Sequence, residues 1–160
     1  MKIINKFRDL LKKILAENAS AHSIALGFSI GVFIGFMPSY GFQMIPAVAI
    51  AMLFRVNKAA AALGVWISNP LTAIPLYMFN FWVGIKLTGT TYAFPKIKNI
   101  INEGNISDLF SSGGEFFKIL LIGSLLVATI SSVVVYFPLR SIMQYRNRRL
   151  RKIRENELGM

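Results

Sequence analysis

The sequence predicts an all-α integral membrane protein built from Pro/Gly-broken or re-entrant helices and one regular transmembrane helix. Three observations carry that expectation. Apolar residues make up 54% of the 160 residues, and mean hydropathy is +0.54. Charged residues are only 16%, against roughly 25% in soluble domains. The formal net charge is nevertheless +11, and between Glu17 and Lys86 the only charged residues are Arg55 and Lys58. The charge therefore flanks an apolar interior.

Residues 1–20 come first. Ile3, Ile4, Phe7, Leu10, Leu11, Ile14 and Leu15 fall at helical spacing, with Lys2, Lys6, Arg8, Lys12 and Lys13 between them. That pattern predicts an amphipathic helix lying on an anionic membrane surface. It lacks the long apolar core of a cleaved signal peptide.

A membrane domain follows over 21–138. Its first apolar region, 23–54, is too long for one span of about 20 residues and is interrupted at Met37-Pro38-Ser39-Tyr40-Gly41. The arms 23–37 and 42–54 would reach only about 20–22 Å each, short of a hydrocarbon core of roughly 30 Å. A re-entrant hairpin is the expectation, and two thin or oblique spans the alternative. Arg55-Val56-Asn57-Lys58 makes a basic turn in which Asn57 can cap the next helix. Residues 59–88 form a broken span. Asn69 is a good N-cap and Pro70 suits the first helical position, so a new helix is expected to start there. Residues 89–115 are polar and read as a loop with short helical pieces. The run 116–138 is continuously apolar and is the regular span. Residues 139–160 form a basic tail.

Charge by segment sets the orientation. The N-terminal segment carries +3, the 55–58 turn +2, the 89–115 segment −1 and the tail +5. Cations favour the cytoplasmic side, so both termini and the 55–58 turn are expected there, and 89–115 outside. The expected location is a bacterial inner membrane, crossed more than once. A shift of 37 residues superposes seven identities, from Ala25-Leu26-Gly27 on Ala62-Leu63-Gly64 to Tyr40 on Tyr77 and Phe42 on Phe79. Such a repeat would imply equivalent units. The charge pattern opposes that topology, and the charges weigh more.

Composition removes several chemistries. The chain has no cysteine and one histidine, His22, so thiolate chemistry and histidine-based metal sites are not expected. His22 reads as a polar residue at the membrane surface. No carboxylate lies between Glu17 and Glu103, which disfavours a buried proton carrier and acid/base catalysis. The expectation is a protein without enzymatic activity, metal or cofactor.

Several motifs point to a family. Ala25-Leu26-Gly27-Phe28, then Gly31-x-x-x-Gly35-x-x-Pro38 and Tyr40-Gly41-Phe42-Gln43, stand in the first region. Arg55-Val56-Asn57-Lys58 and Trp66-Ile67-Ser68-Asn69-Pro70-Leu71-Thr72 follow. Together they resemble the bacterial DUF2062 family over about residues 10–140. The resemblance implies an inner-membrane protein of unknown function. Relatives that look like glycosyltransferase fusions imply a neighbourhood of lipid-linked sugar chemistry.

The two breaks supply the candidate binding site. Pro38, Tyr40, Gly41 and Gln43 come from the first, and Ser68, Asn69 and Pro70 from the second. Arg55, Asn57 and Lys58 of the basic turn would add charge at the mouth. Thr72 and Asn80 offer further hydrogen-bond groups. A half-helix beginning at Pro70 would turn free N–H groups toward an anion, so an anionic headgroup is the expected ligand. The competing structural reading is that these groups satisfy the broken backbone itself. Gly27, Gly31 and Gly35 recur every four residues and read as a packing face. The tail follows a span directly and has little aromatic content beyond Tyr145. It suits anionic lipid, at about 1 kcal/mol per cation, rather than nucleic acid. The expected partners are membrane lipid and either further copies of the chain or another membrane protein. Two functions fit: a small transporter or lipid-handling protein, or a non-catalytic accessory or scaffold subunit for an envelope or glycosyltransferase system.

Overall fold

The computed structural model describes residues 19–39, 41–90 and 106–157. The interfacial helix expected over 1–20 lies outside them, apart from Ala19 and Ser20. Within them the chain forms five helices and no strand. These are α1 Ala21–Phe36, α2 Met44–Leu53, α3 Lys58–Val65, α4 Ala73–Thr88 and α5 Ile106–Glu157. One of them, α5, is long and apolar enough to cross a membrane, over Gly113–Arg149.

Local chemistry sets most boundaries. Ser20 caps α1 through its side chain, which accepts from Ser23 N at 3.1 Å. α1 stops at Phe36 because Met37 precedes Pro38 and takes the extended conformation that proline imposes, φ −71 and ψ 144. Gly41, at φ 97, makes the turn into α2. α2 ends in a Schellman arrangement: Val56 N donates to Ala51 O at 2.9 Å and Arg55 N to Met52 O at 3.1 Å. Arg55 occupies the left-handed position at φ 53, where glycine is usual. Asn57 caps α3 as expected, accepting from Ala60 N at 2.8 Å.

Three boundaries depart from the sequence expectation. Regular α4 starts at Ala73, not at Asn69-Pro70, because Pro70–Thr72 form a capped lead-in turn ahead of it. The segment 89–115, expected as a loop with short helical pieces, is from Ile106 onward already part of α5. α5 also runs through Pro138 to Glu157, beyond the end expected for the span. Extending an existing helix adds one hydrogen bond per residue without a new nucleus, so it outweighs the weak propensity of Gly113 and Gly114. Pro138 removes one N–H and does not end the helix.

Glycine governs the packing. Cβ atoms on Gly27, Gly31 and Gly35 would meet Asn57 O, Ala61 O and the side chain of Ile67 together with Val65 O. The contacts advance in step along both chains, so α1 and α3 run parallel at close range. α2 folds back along α1: Ala47 packs by Ile34 and Val65, while Ala51 packs by Leu26 and Ile30. α5 runs antiparallel to both α1 and α4. His22 meets Tyr136 at one end of α1, and Asn80 links Phe36 to Ser124 at the other. Gly84 abuts Ile119 O and Gly123 abuts Asn80 O, which brings α4 equally close to α5. α3 and α4 share no packed face.

The 37-residue shift therefore has a local counterpart only. It aligns the two capping residues Ser20 and Asn57, and the glycines Gly27 and Gly64 of the α1–α3 contact. The pair α1–α2 nonetheless folds back, whereas α4 continues away from α3.

Unfolding of three variants in mixed micelles tests these assignments. Gly31→Ala should cost about 3 kcal/mol, because its Cβ faces backbone with little room to move. Gly113→Ala, with open space around it, should stabilise by up to about 1 kcal/mol. Arg55→Gly should stabilise by about 1 kcal/mol through relief at the left-handed position.

Candidate functional site

An α-helix leaves its last carbonyls without intrahelical partners. Those of α1 end among three side chains from other parts of the fold. Gln43 Nε2 lies 3.3 Å from Gly35 O and 3.0 Å from Met37 O. Tyr77 Oη donates to Met37 O at 3.1 Å and accepts from Gln43 Nε2 at 2.7 Å. Asn80 Nδ2 donates to Phe36 O at 3.0 Å. Gln43 and Asn80 are both buried, at 3% and 0% exposure. The end of α1 is thus closed by the start of α2 and the first turns of α4. Ser68 Oγ, 3.5 Å from Tyr77 Oη, extends the network into the second break.

That second break is organised by Asn69. Its Oδ1 accepts from Leu71 N at 2.9 Å and Thr72 N at 3.0 Å, and its own N–H donates to Thr72 Oγ1 at 3.1 Å. Ala73 N donates to Asn69 O at 2.8 Å. Asn69 therefore caps the Pro70–Thr72 turn, while the N-cap position of α4 itself is Thr72, whose side chain makes no capping bond to the helix. The expectation of free N–H groups here is corrected: Pro70 has none, and those of Asn69, Leu71, Thr72 and Ala73 are taken. Residues 69–73 thus leave no backbone N–H for an anion.

Between the breaks lies an open cavity of about 260 Å³ lined by Gly41, Gln43, Met44, Val65, Trp66, Ser68, Asn69 and Pro70. Met44, Val65, Trp66 and Pro70 make it largely apolar, with neutral hydrogen-bonding groups from Gln43, Ser68 and Asn69. Five predicted site residues thus meet here: Gly41, Gln43, Ser68, Asn69 and Pro70. Pro38 lies half-buried in the first break without lining the cavity. Tyr40 lies outside the described residues.

Arg55, Asn57 and Lys58 are not part of this cavity. α2 runs back along α1 and returns the basic turn to the opposite end, where Asn57 N donates to Ser23 O at 3.3 Å. The separation is about the length of α1, roughly 20 Å or more. Arg55 and Lys58 are exposed there, while Asn57 is buried as a cap. His22, expected as a lone surface residue, has its Nδ1 2.7 Å from Tyr136 Oη, and Arg140 Nη1 donates to the same hydroxyl at 3.3 Å.

Residue types alone left Tyr77 and Ser124 out. Tyr77 was visible only as the repeat partner of Tyr40, and as a polar neighbour three residues before Asn80 in an apolar helix. Ser124 accepts from Asn80 Nδ2 at 2.9 Å and is fully buried. Nothing in its local sequence distinguishes it from a packing serine. Among the described residues no group of histidine, cysteine or acidic side chains could hold a metal ion.

These features define a helical protein with one helix fit to cross a membrane and a largely apolar cavity where two helix breaks meet. The chain belongs to the bacterial family described as "Uncharacterized protein conserved in bacteria (DUF2062)", whose family model matches residues 4–152. No curated protein and no solved structure matches the chain significantly.

Substitutions separate the parts of the network. Gln43→Leu removes the donor to Gly35 O, while Met37 O keeps Tyr77 and Ser39, and should destabilise by about 2 kcal/mol. Tyr77→Phe, with Gln43 retained, should cost about 1 kcal/mol. Asn69→Ala should cost about 1 kcal/mol by loss of the cap, read in the same micellar unfolding assay.

Proposed function

We propose that this protein is a multi-pass protein of the bacterial inner membrane that binds and moves lipid or another amphiphile, with the largely apolar cavity between the breaks as its binding site. Both termini lie in the cytoplasm, α1–α2 is a re-entrant hairpin, and α3–α4 is a broken span answered by α5. The observation that carries this reading is the closure of two breaks on each other at the level of Ser124. Within the apolar stretch 116–138, Ser124 is about 12 Å from Phe116 and about 21 Å from Pro138 at 1.5 Å per residue. The cavity would then sit inside the hydrocarbon layer, where irregular backbone is tolerated only in protein or beside a polar cavity.

Exposed apolar side chains support a lipid setting. Leu53, Leu71, Ile74, Met78 and Phe137 are all at least 61% exposed, and only 28% of the most apolar part of α5 is buried. A soluble core helix would be mostly covered. Arg55 and Lys58 at the opposite end of α1 suit anionic headgroups at the cytoplasmic interface, and the cavity offers uncharged hydrogen bonds deeper in. The absence of carboxylates from 18 to 102 favours binding and passage over catalysis. With so few helices, further copies of the chain or a partner membrane protein would complete the enclosure.

A second reading, an accessory or scaffold subunit for an envelope enzyme, draws on α5. Its helix continues 19 residues past Pro138 with a strong basic excess, which offers a partner a rigid attachment.

The test uses the cysteine-free chain. Single cysteines at Asn102 and Tyr145 should label from opposite sides of the membrane, and labelling from one side overturns the topology. Met44→Trp, on the rim of the cavity, should reduce copurifying lipid in native mass spectrometry by about threefold while leaving the fold intact. Unchanged lipid, with a stable protein partner recovered by crosslinking, would favour the scaffold reading.

A further inference from the structure

Two buried polar atoms have no hydrogen-bond partner among the described residues: Ser29 Oγ and Asn80 Oδ1. Ser29 is 5% exposed and Asn80 is 0%. Buried polar atoms are almost always paired with protein or with ordered water. The orientation of Asn80 is settled by its neighbours. Turning the amide over would set Oδ1 against the carbonyl oxygen of Phe36, which now accepts from Nδ2 at 3.0 Å. The unpaired atom is therefore an acceptor. Ser29 offers a hydroxyl able to donate and accept.

Both atoms belong to one seam. His22, Ser29 and Phe36 are seven residues apart on α1, so they share a face to within about 20° per step. His22 meets α5 at Tyr136, and Phe36 meets it through Asn80 and Ser124. Ser29, a heptad from His22 and on the side of α1 away from Gly27 and Gly31, faces α5 between those two levels. On that stretch of α5 the buried residue is Ala128, at 0% exposure, with half-buried Ser131 and Ser132 beyond it. Thr129 and Ser132 spend their hydroxyls on carbonyls of α5 at 2.7 and 2.9 Å. Ser29 makes no such bond to its own helix.

We infer that the α1–α5 seam holds internal water bound to Ser29 Oγ and Asn80 Oδ1, and that this water joins the His22–Tyr136 end of α1 to the wall of the cavity. Water fits where larger ligands do not. It donates to Asn80 Oδ1 and pairs either way with Ser29, and the buried residues a turn before Ser29 and on the facing stretch of α5, Ala25 and Ala128, are small. Ser29 and Phe36 are about 10 Å apart along the helix, a gap that about three hydrogen-bonded waters bridge. Asn80 lies three residues beyond Tyr77, whose hydroxyl already belongs to the network at the cavity. The water thus links Ser29 to the network at the end of α1, with His22 and Tyr136 at the other end of the same seam. This holds whether or not the cavity takes a lipid.

Water-edited solid-state NMR on the labelled full chain, in bilayers of phosphatidylethanolamine and phosphatidylglycerol, tests it. Ser29 and Asn80 signals should gain polarisation from water at least about threefold faster than those of Ala51 and Ala61, which are buried in the dry contact of α1, α2 and α3. Build-up as slow as that of Ala61 overturns the inference. In Ser29→Val the path is plugged near its middle, so Asn80 should slow to the rate of Ala61 while Gln43 stays unchanged. Asn80 remaining fast in that variant would mean that water reaches it from the cavity instead, which overturns the path from His22.

Discussion

A helix that stops inside an apolar body leaves carbonyl groups that nothing around them can satisfy, and this fold is arranged around that fact. α1 stops at Phe36 because Pro38 follows. The carbonyls of Gly35, Phe36 and Met37 then take donors from Gln43, Tyr77 and Asn80. Those side chains come from the start of α2 and from α4, so satisfying one helix end ties three helices together. Asn80 adds α5 through Ser124. An unpaired buried carbonyl costs about 1–3 kcal/mol, which makes the tie a strong constraint on where α2 and α4 can begin.

Glycine makes the geometry reachable. α1 and α3 approach through Gly27, Gly31 and Gly64, and α4 and α5 through Gly84 and Gly123. Close backbone contact maximises dispersion between helices whose outer faces are apolar and exposed, where hydrophobic burial alone would not select one partner over another. Packing therefore specifies which faces meet, and the hydrogen bonds at the end of α1 specify the height at which they meet.

Much of the site was legible because residue type and neighbour agreed. Asn57 and Asn69 stand where caps are needed, Met37 before Pro38 is extended, and Gln43 follows a Pro/Gly break. Their roles depend on a few consecutive residues. The competing readings of the breaks also separate in part: the backbone donors expected to face an anion at Pro70 are consumed by Asn69 and Thr72, and three polar side chains do close the end of α1. Tyr77 and Ser124 were not legible in this way, because each matters only through a residue more than 30 positions distant.

Sequence alone determined the helical class, the apolar interior with cationic flanks, the positions of the breaks and the family resemblance, since these follow from composition, proline, glycine and capping chemistry read locally. Tertiary structure decided that the two breaks face each other and that Arg55 and Lys58 stand a helix length away from them. The reason is the direction in which α2 returns. A reversal at Gly41 carries the basic turn back to the start of α1, and parallel packing of α3 on the glycine face then brings Ser68 and Asn69 to its end. Local pattern encodes where a helix begins and stops, but which ends come together depends on contacts between residues far apart in the chain.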